Sequence, residues 1–329
     1  MYLNLSRIDL EALVQNMTYL RELHLDKVNI SSSLPQSLEN LSSLTSLSLS
    51  QCGLHGEFPS NIFQLPRIQA IDLSGNYDLA GFLPKFQSGS SLKQLHLSFT
   101  NFSGELPNSI DNLGSLNHFD ISMTNFSGEL PTSIGNLKYL NQLDLSRTDF
   151  SGELPNSIGN HKSLNILDLS ESDFFGRLPN SIGNLKSLKF LYLSFTNFSG
   201  ELPNSISNLG SLNHLDISMT NFSRDLRTSI GNLKSLNHLD LSRTNFYGEL
   251  PISIGNLKSL NILDLFETFR ELPNSIGNLK SLKILYLIQT NFSEELPNSI
   301  GKLESLNTLY LCETNFLGEL PSSICKLES

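Results

Sequence analysis

Residues 188–211 read LKFLYLSFTNFSGELPNSISNLGS, and almost everything after residue 92 is a variation on this 24-residue sentence. Aligned on the opening leucine, the chain has thirteen starts: Leu20, Leu44, Ile68, Leu92, Leu116, Leu140, Leu164, Leu188, Leu212, Leu236, Leu260, Leu282 and Leu306. The spacing is 24 throughout, except for 22 between Leu260 and Leu282. A period of roughly 20–29 residues with the pattern L-x-x-L-x-L marks stacked coils, one per repeat. In residues 188–194 strand alternation sends Leu191 and Leu193 inward and Phe190, Tyr192 and Ser194 outward. Parallel strands stack about 4.8 Å apart, so the inward leucines form columns and the outward residues line a concave sheet. Phe198, Leu202 and Ile206 supply further inward positions, Gly200 and Pro203 shape the bends, and SIxNL suits a short 3₁₀ turn. The predicted fold is a right-handed α/β solenoid, with a parallel β-sheet on its concave face and 3₁₀ or loop segments on its convex face.

The consensus of the segment after the strand, NFSGELPNSIGNL, resembles the plant-specific class of leucine-rich repeats, whose coils carry S-G-x-(I/L)-P there. Residues 28–66, VNISSSLPQSLENLSSLTSLSLSQCGLHGEFPSNIFQLP, are similar to ectodomain repeats of plant receptor-like proteins. The resemblance spans essentially the whole chain. It implies protein or peptide recognition outside the cell, at the plasma membrane, in defence or developmental signalling. It also implies a partner receptor kinase, because such receptors carry no kinase of their own.

At 329 residues the chain exceeds the size at which one globular core stops growing. A solenoid escapes that limit, since each coil buries its core only against its neighbours. The net charge of −10 argues against a nucleic-acid binder, which needs a clustered basic face. Three cysteines give no disulfide framework, and the paired cysteines of the family's caps are absent. Cys52 stands in the slot after the strand that Thr196 fills elsewhere and reads as a buried small residue.

Asn4, Arg7, Asp9 and Glu11 interrupt what a signal peptide would need as an apolar run. No stretch offers the ~18 apolar residues of a membrane span. Residues 1–19 read as a shortened N-terminal coil, with Leu3 and Leu5 as inward strand leucines, ahead of an array over 20–329. The expectation is a fragment or truncated product.

A longer period is superposed on the short one. The seventh residue after each opening leucine runs Phe99, Met123, Arg147, Glu171, then Phe195, Met219, Arg243, Glu267, so residues 92–187 are duplicated as 188–281. The second copy departs from the pattern: Arg224 replaces a glycine, Arg227 a proline, and two residues are missing near Phe269. Glycine at the first place permits a backbone costly for other residues, so Arg224 is expected to strain one loop of an otherwise intact array.

The slot after the strand, usually Asn in this family, is Thr or Ser in ten coils, from Thr100 to Thr314. A hydroxyl has one donor hydrogen where an amide has two, so a thinner bonding ladder is expected. Asp120, Asp144, Asp168, Asp216, Asp240 and Asp264 recur at one outward position. They read either as an acidic strip for a cationic ligand or as aspartates simply solvated and hydrogen-bonded beside their neighbours. His214 and His238 share a position beside Asp216 and Asp240; parallel side chains splay rather than converge, so no metal site is expected. No catalytic set or phosphate-cradling loop stands outside the repeat. The chain therefore reads as a non-enzyme with no cofactor.

Comparison of the two copies singles out a binding patch. Gln94 becomes Phe190, His96 becomes Tyr192 and Gln142 becomes His238. With Phe195, Tyr286 and Tyr310 these make the second half of the face richer in aromatics, as interface anchors are, and His214, Asp216, Asp240 and Arg243 complete the patch; drift after duplication would give the same list. Nine N-x-S/T sequons, at Asn4, Asn16, Asn29, Asn40, Asn101, Asn125, Asn197, Asn221 and Asn291, suggest glycosylation. Five are copies of one NFS motif, and Asn16 and Asn40 sit where partial burial is expected. Alternatives left open are a secreted inhibitor resembling polygalacturonase-inhibiting proteins, an intracellular scaffold, or a non-functional duplicate.

Overall fold

The computed structural model describes residues 5, 7–15, 17–290, 295–314 and 320–326. They form two compact units, Met1–Leu164 and Asn165–Ser329. In each, every coil contributes a three-residue strand to a parallel main sheet. Residues one repeat apart stand in register, as in Phe190↔His214 and Tyr192↔Asp216. In the second unit the strands run Ile166–Asp168, Phe190–Tyr192, His214–Asp216, His238–Asp240, Ile262–Asp264, Ile284–Tyr286 and Thr308–Tyr310. The core is the predicted one: Leu191, Leu193 and Phe198 have no exposed surface, and Leu202 and Ile206 are nearly as buried.

A second parallel sheet, absent from the sequence reading, lies just after the main strands. In the first unit it includes Asn101–Gly104 and Asn125–Glu129, and in the second Asp173–Gly176, Asn197–Gly200 and Asn221–Arg224. Its buried phenylalanines form a spine along each unit. Phe174 and Phe198 stack at 6.2 Å and 4°, and Phe198 and Phe222 at 6.4 Å and 10°, within the spacing at which offset rings attract. The shortened coil keeps this spine. Phe269 adopts a φ of 29°, is 2% exposed and stacks on Phe246 at 5.9 Å.

The remainder of a coil is the expected 3₁₀ turn, for example Asn204–Asn208, entered through Pro203 at φ −66°. Turns of neighbouring coils touch backbone to backbone. A Cβ on Gly183 would lie 2.3 Å from the Ser205 carbonyl oxygen, so glycine is what lets this pair of turns stack so closely. At the start of the chain an α-helix, Arg7–Gln15, packs against the turn Gln36–Asn40. Leu5 is not an inward strand leucine. Its N–H donates to Asn29 O at 3.0 Å, beyond the strand Glu22–His24, because the helix takes up the residues a full coil would use.

The ladder after the strand is thinner wherever threonine replaces asparagine. Asn76 makes four bonds: its Oδ1 accepts from the Cys52 and Leu54 N–H groups, and its Nδ2 donates to Leu49 O and Leu73 O. Thr196 donates one, to Leu193 O at 2.6 Å. Cys52 is buried as expected, and burial pushes its thiol up to about 11. Among the described residues no helix is long and apolar enough to cross a membrane.

Candidate functional site

The residues singled out for binding lie on the outward face of the main sheet in the second unit, in rows fixed by strand register. One row runs Phe190, His214, His238, Ile262, Ile284, Thr308, and the next Tyr192, Asp216, Asp240, Asp264, Tyr286, Tyr310. A third row, Phe195, Met219, Arg243 and Glu267, follows the strands at φ 51–55°. The left-handed turn is held by the next coil: the Phe195 N–H donates to Ser218 O at 3.1 Å.

Four of these side chains form one continuous strip. Tyr192 and His214 lie 4.8 Å apart between ring centroids, His214 and His238 4.1 Å, and Phe190 packs at 6.4 Å from both Tyr192 and His214. Tyr286 and Tyr310 form a separate parallel stack at 4.6 Å and 2°. Between the two groups lies the strand Ile262–Asp264. Phe195 is 55% exposed on the third row. Arg243 is held across the face, over the Phe266 ring at 4.5 Å and 3.0 Å from Glu267 Oε2. Phe266 and Ile288 stand where other coils carry the serine after the strand. They extend the apolar surface, and a scan of that one repeat position would have found them.

The aspartates are bonded within their own coils. Asp216 accepts the Ser218 N–H at 3.0 Å and its hydroxyl at 2.7 Å, and Asp168 and Ser170 do the same at 2.9 and 2.6 Å. They are half-buried rather than fully solvated, and burial raises the carboxyls of Asp168 and Asp240 despite these bonds. Asp264, whose coil has Phe266 in place of the serine, is pushed up to about 6, chiefly by burial. Ser194, expected outward, is buried, because strand alternation ends at Tyr192 and the chain already turns toward Phe195.

Burial, then the neighbouring His238, lowers His214 to about 4, against the pull of Asp216. His238 is lowered by burial as well. At neutral pH the strip is an uncharged run of rings edged by carboxylates. It can stack apolar or aromatic groups and accept hydrogen bonds from amides or cations. Among the described residues no three His, Cys, Asp or Glu side chains are grouped as metal ligands. Of the sequons, Asn29, Asn101, Asn125, Asn197 and Asn221 are exposed. So is Asn40, contrary to the expected partial burial, because it ends a 3₁₀ turn whose buried member is Leu38. Asn4, Asn16 and Asn291 lie outside the described residues.

Comparison with known proteins agrees with this architecture. The family described as "Leucine-rich repeat region" matches residues 134–239 and 224–291, and "Leucine Rich Repeat" matches 43–65, 91–113, 115–137 and 305–327. Receptor-like protein 6 of Arabidopsis thaliana is 42% identical over 107 residues, 32% of this chain and 11% of that protein. Receptor-like protein Cf-9 of Solanum pimpinellifolium is 40% identical over 116 residues, 35% of this chain and 13% of that protein. The chain thus matches a small part of each curated relative's length. Among solved structures, the ectodomain of the Arabidopsis receptor kinase HAESA, in complex with an N-terminally extended IDA peptide hormone, superposes with a TM-score of 0.88. The identity is 32%, covering 99% of this chain and 55% of that one. HAESA with IDA and the co-receptor SERK1 gives 0.77 at 30% identity, covering 97% and 58%. From its repeats, its core and these matches, the chain belongs to the leucine-rich repeat family, in the form carried by plant receptor-like proteins.

Proposed function

We propose that the outward main-sheet face of residues 165–329 recognises an extended peptide or protein segment, as the ligand-binding part of a longer extracellular receptor in defence or developmental signalling. The observation that carries this is the unbroken strip Phe190, Tyr192, His214 and His238, in which Phe190, Tyr192 and His214 touch one another and His238 continues the run from His214, on a solvent-facing sheet. Rigid aromatic side chains anchor interfaces at low entropic cost. The likeness to a peptide-bound receptor ectodomain supports the same reading. Asp216 and Asp240 flank the strip as acceptors for ligand amides or cations, Arg243 and Phe195 border it, and Tyr286 and Tyr310 give a second anchor further along. A partner receptor kinase transmits the signal, and the exposed sequons at Asn29, Asn40, Asn101, Asn125, Asn197 and Asn221 accept glycans.

A display library of short random peptides, panned on the purified chain, tests this. Selected peptides should bind the double variant Phe190→Ala/Tyr192→Ala at least about tenfold more weakly. They should bind Tyr139→Ala, which removes an exposed ring elsewhere, unchanged. Peptides that keep full affinity for the double variant would overturn the assignment.

A further inference from the structure

In the first unit an open cleft of about 540 Å³ is walled by Tyr77 and Phe99, within the ~300–1,000 Å³ of small-molecule sites. Two glycines are part of its lining. Along the row after the strands, Gly75 stands between Gln51 and Phe99, and two places further along each coil Gly53 stands beside Tyr77. The Gly75 N–H donates to Ser98 O at 2.9 Å and the Gln51 N–H to Ser74 O at 2.8 Å, so the backbones keep the ordinary stacking, and the Gln51 side chain lies over Gly75, its Cγ 2.7 Å from where a Cβ there would stand.

The walls meet as a corner. The Tyr77 and Phe99 rings are 6.0 Å apart at 83°, and are 70% and 38% exposed. Exposed rings held edge to face offer a ligand one ring face and one ring edge. The polar lining is uncharged: the Gln51 amide and the hydroxyls of Ser74 and Ser98. Ser74 donates its hydroxyl to Asp72, two residues before it, at 2.6 Å, and Ser122 and Ser146 do the same with Asp120 and Asp144. At Ser98 that aspartate is replaced by His96, which leaves this hydroxyl available to the cleft.

The duplicated half supplies an internal comparison. Phe195 corresponds to Phe99, but in the coil before it Glu171 and Asp173 stand at the repeat places that Gly75 and Tyr77 hold before Phe99, so Phe195 has no such ring corner beside it and the place is acidic.

We propose that the Tyr77–Phe99 cleft binds a neutral oligosaccharide. A pyranose lays its C–H face on an aromatic ring face, and its hydroxyls pair with amide and hydroxyl groups that both donate and accept. The uncharged lining disfavours an anionic sugar or a peptide carboxylate, for which no cation is present in the cleft. This site is separate from the proposed peptide face and stands without it.

Saturation-transfer NMR and calorimetric titration of the full chain with cellotriose and chitotriose, against trigalacturonate as the charged control, test the proposal. At least one neutral trisaccharide should bind saturably, with Kd on the order of 1 mM or tighter, and trigalacturonate should bind at least about tenfold more weakly. Tyr77→Ala and Phe99→Ala should each weaken binding by about tenfold, the factor that ~1.4 kcal/mol of ring contact supplies, with thermal midpoints unchanged. Phe195→Ala should leave it intact. Absence of saturable binding by both neutral sugars, equal binding of trigalacturonate, or an equal loss in Phe195→Ala would each overturn the assignment.

Discussion

The guanidinium of Arg224 lies 2.7 Å from the Glu201 carboxylate of the preceding coil, while its own backbone sits at φ 70°, in a place where Gly200 and Gly248 have 78° and 85°. Arg227, in the place of a proline, pairs with the same carboxylate. The two departures from the repeat therefore meet on one acidic group and partly offset each other's cost. Non-glycine residues in the left-handed region cost about 1 kcal/mol or more, and exposed ion pairs return ~0–1 kcal/mol. Arg224→Gly is accordingly expected to be near neutral in low salt and stabilising by about 1 kcal/mol in high salt, where the pair is screened. Denaturant titrations at the two ionic strengths check this. A variant less stable than the parent at high salt would contradict the strain.

Close stacking of the 3₁₀ turns gives a sharper contrast. Gly183→Ala forces a Cβ to 2.3 Å from the Ser205 carbonyl oxygen, whereas a Cβ on Gly210 meets nothing within 4 Å. The first substitution should cost about 2 kcal/mol or more. The second should be neutral or stabilising by ~0.4–1 kcal/mol. Paired thermal melts decide it, and equal shifts would mean that the turns do not touch.

His161 occupies the inward place held by Leu137 and Leu185 in other coils and has no exposed surface. Its Nδ1 meets Leu137 O at 3.1 Å, but its Nε2 is buried without a partner. Burial lowers its pKa below the ordinary 6.5, so the fold excludes a proton that the unfolded chain accepts. Stability is therefore fully present above that value and falls as pH drops below it. His161→Leu should stabilise by about 1–3 kcal/mol at neutral pH and by more at about pH 5. A difference independent of pH would show that the imidazole titrates freely.

Asp264 has the opposite sign. Its carboxyl is raised from the ordinary 3.8 to about 6, so the charge destabilises the fold at neutral pH, and the penalty disappears as pH falls below 3.8. Asp264→Asn retains an oxygen for the Phe266 N–H, which Asp264 accepts at 2.9 Å. It should raise the thermal midpoint at neutral pH and leave it unchanged below 3.8. Destabilisation at neutral pH would mean that the carboxylate is needed as an ion.

The main sheet was legible because a fixed period sets register: once Leu191 and Leu215 are aligned, Tyr192 must stand beside Asp216. The cost of Arg224 was legible too, since the glycine in the neighbouring coils names the backbone. The second sheet was not. Its strands, such as Asn197–Gly200, are too short to show alternation, and Asn and Gly are poor strand formers. The aromatic candidates could be placed on one face by register, but their division into a four-ring strip and a separate Tyr286–Tyr310 pair depends on side-chain directions that composition does not carry. Nor does sequence show that Asp216 turns back onto Ser218, although Asp two residues before Ser is a pairing local hydrogen bonding favours. The Tyr77–Phe99 cleft was missed because the edge-to-face meeting of its two rings depends on side-chain directions that register does not carry.

The left-handed place after each strand carries Phe99, Met123 and Arg147 in the first unit, and Glu171, Phe195, Met219, Arg243 and Glu267 in the second, at nearly the same φ of 51–57°. None of these residue types prefers that region, so each coil bears a similar backbone penalty whichever of them is present. The frame is thus indifferent to the letter written there. A substitution among such residues alters what a visitor meets without altering what the coil costs to fold, and mutation can explore new surfaces at this position while stability stands still.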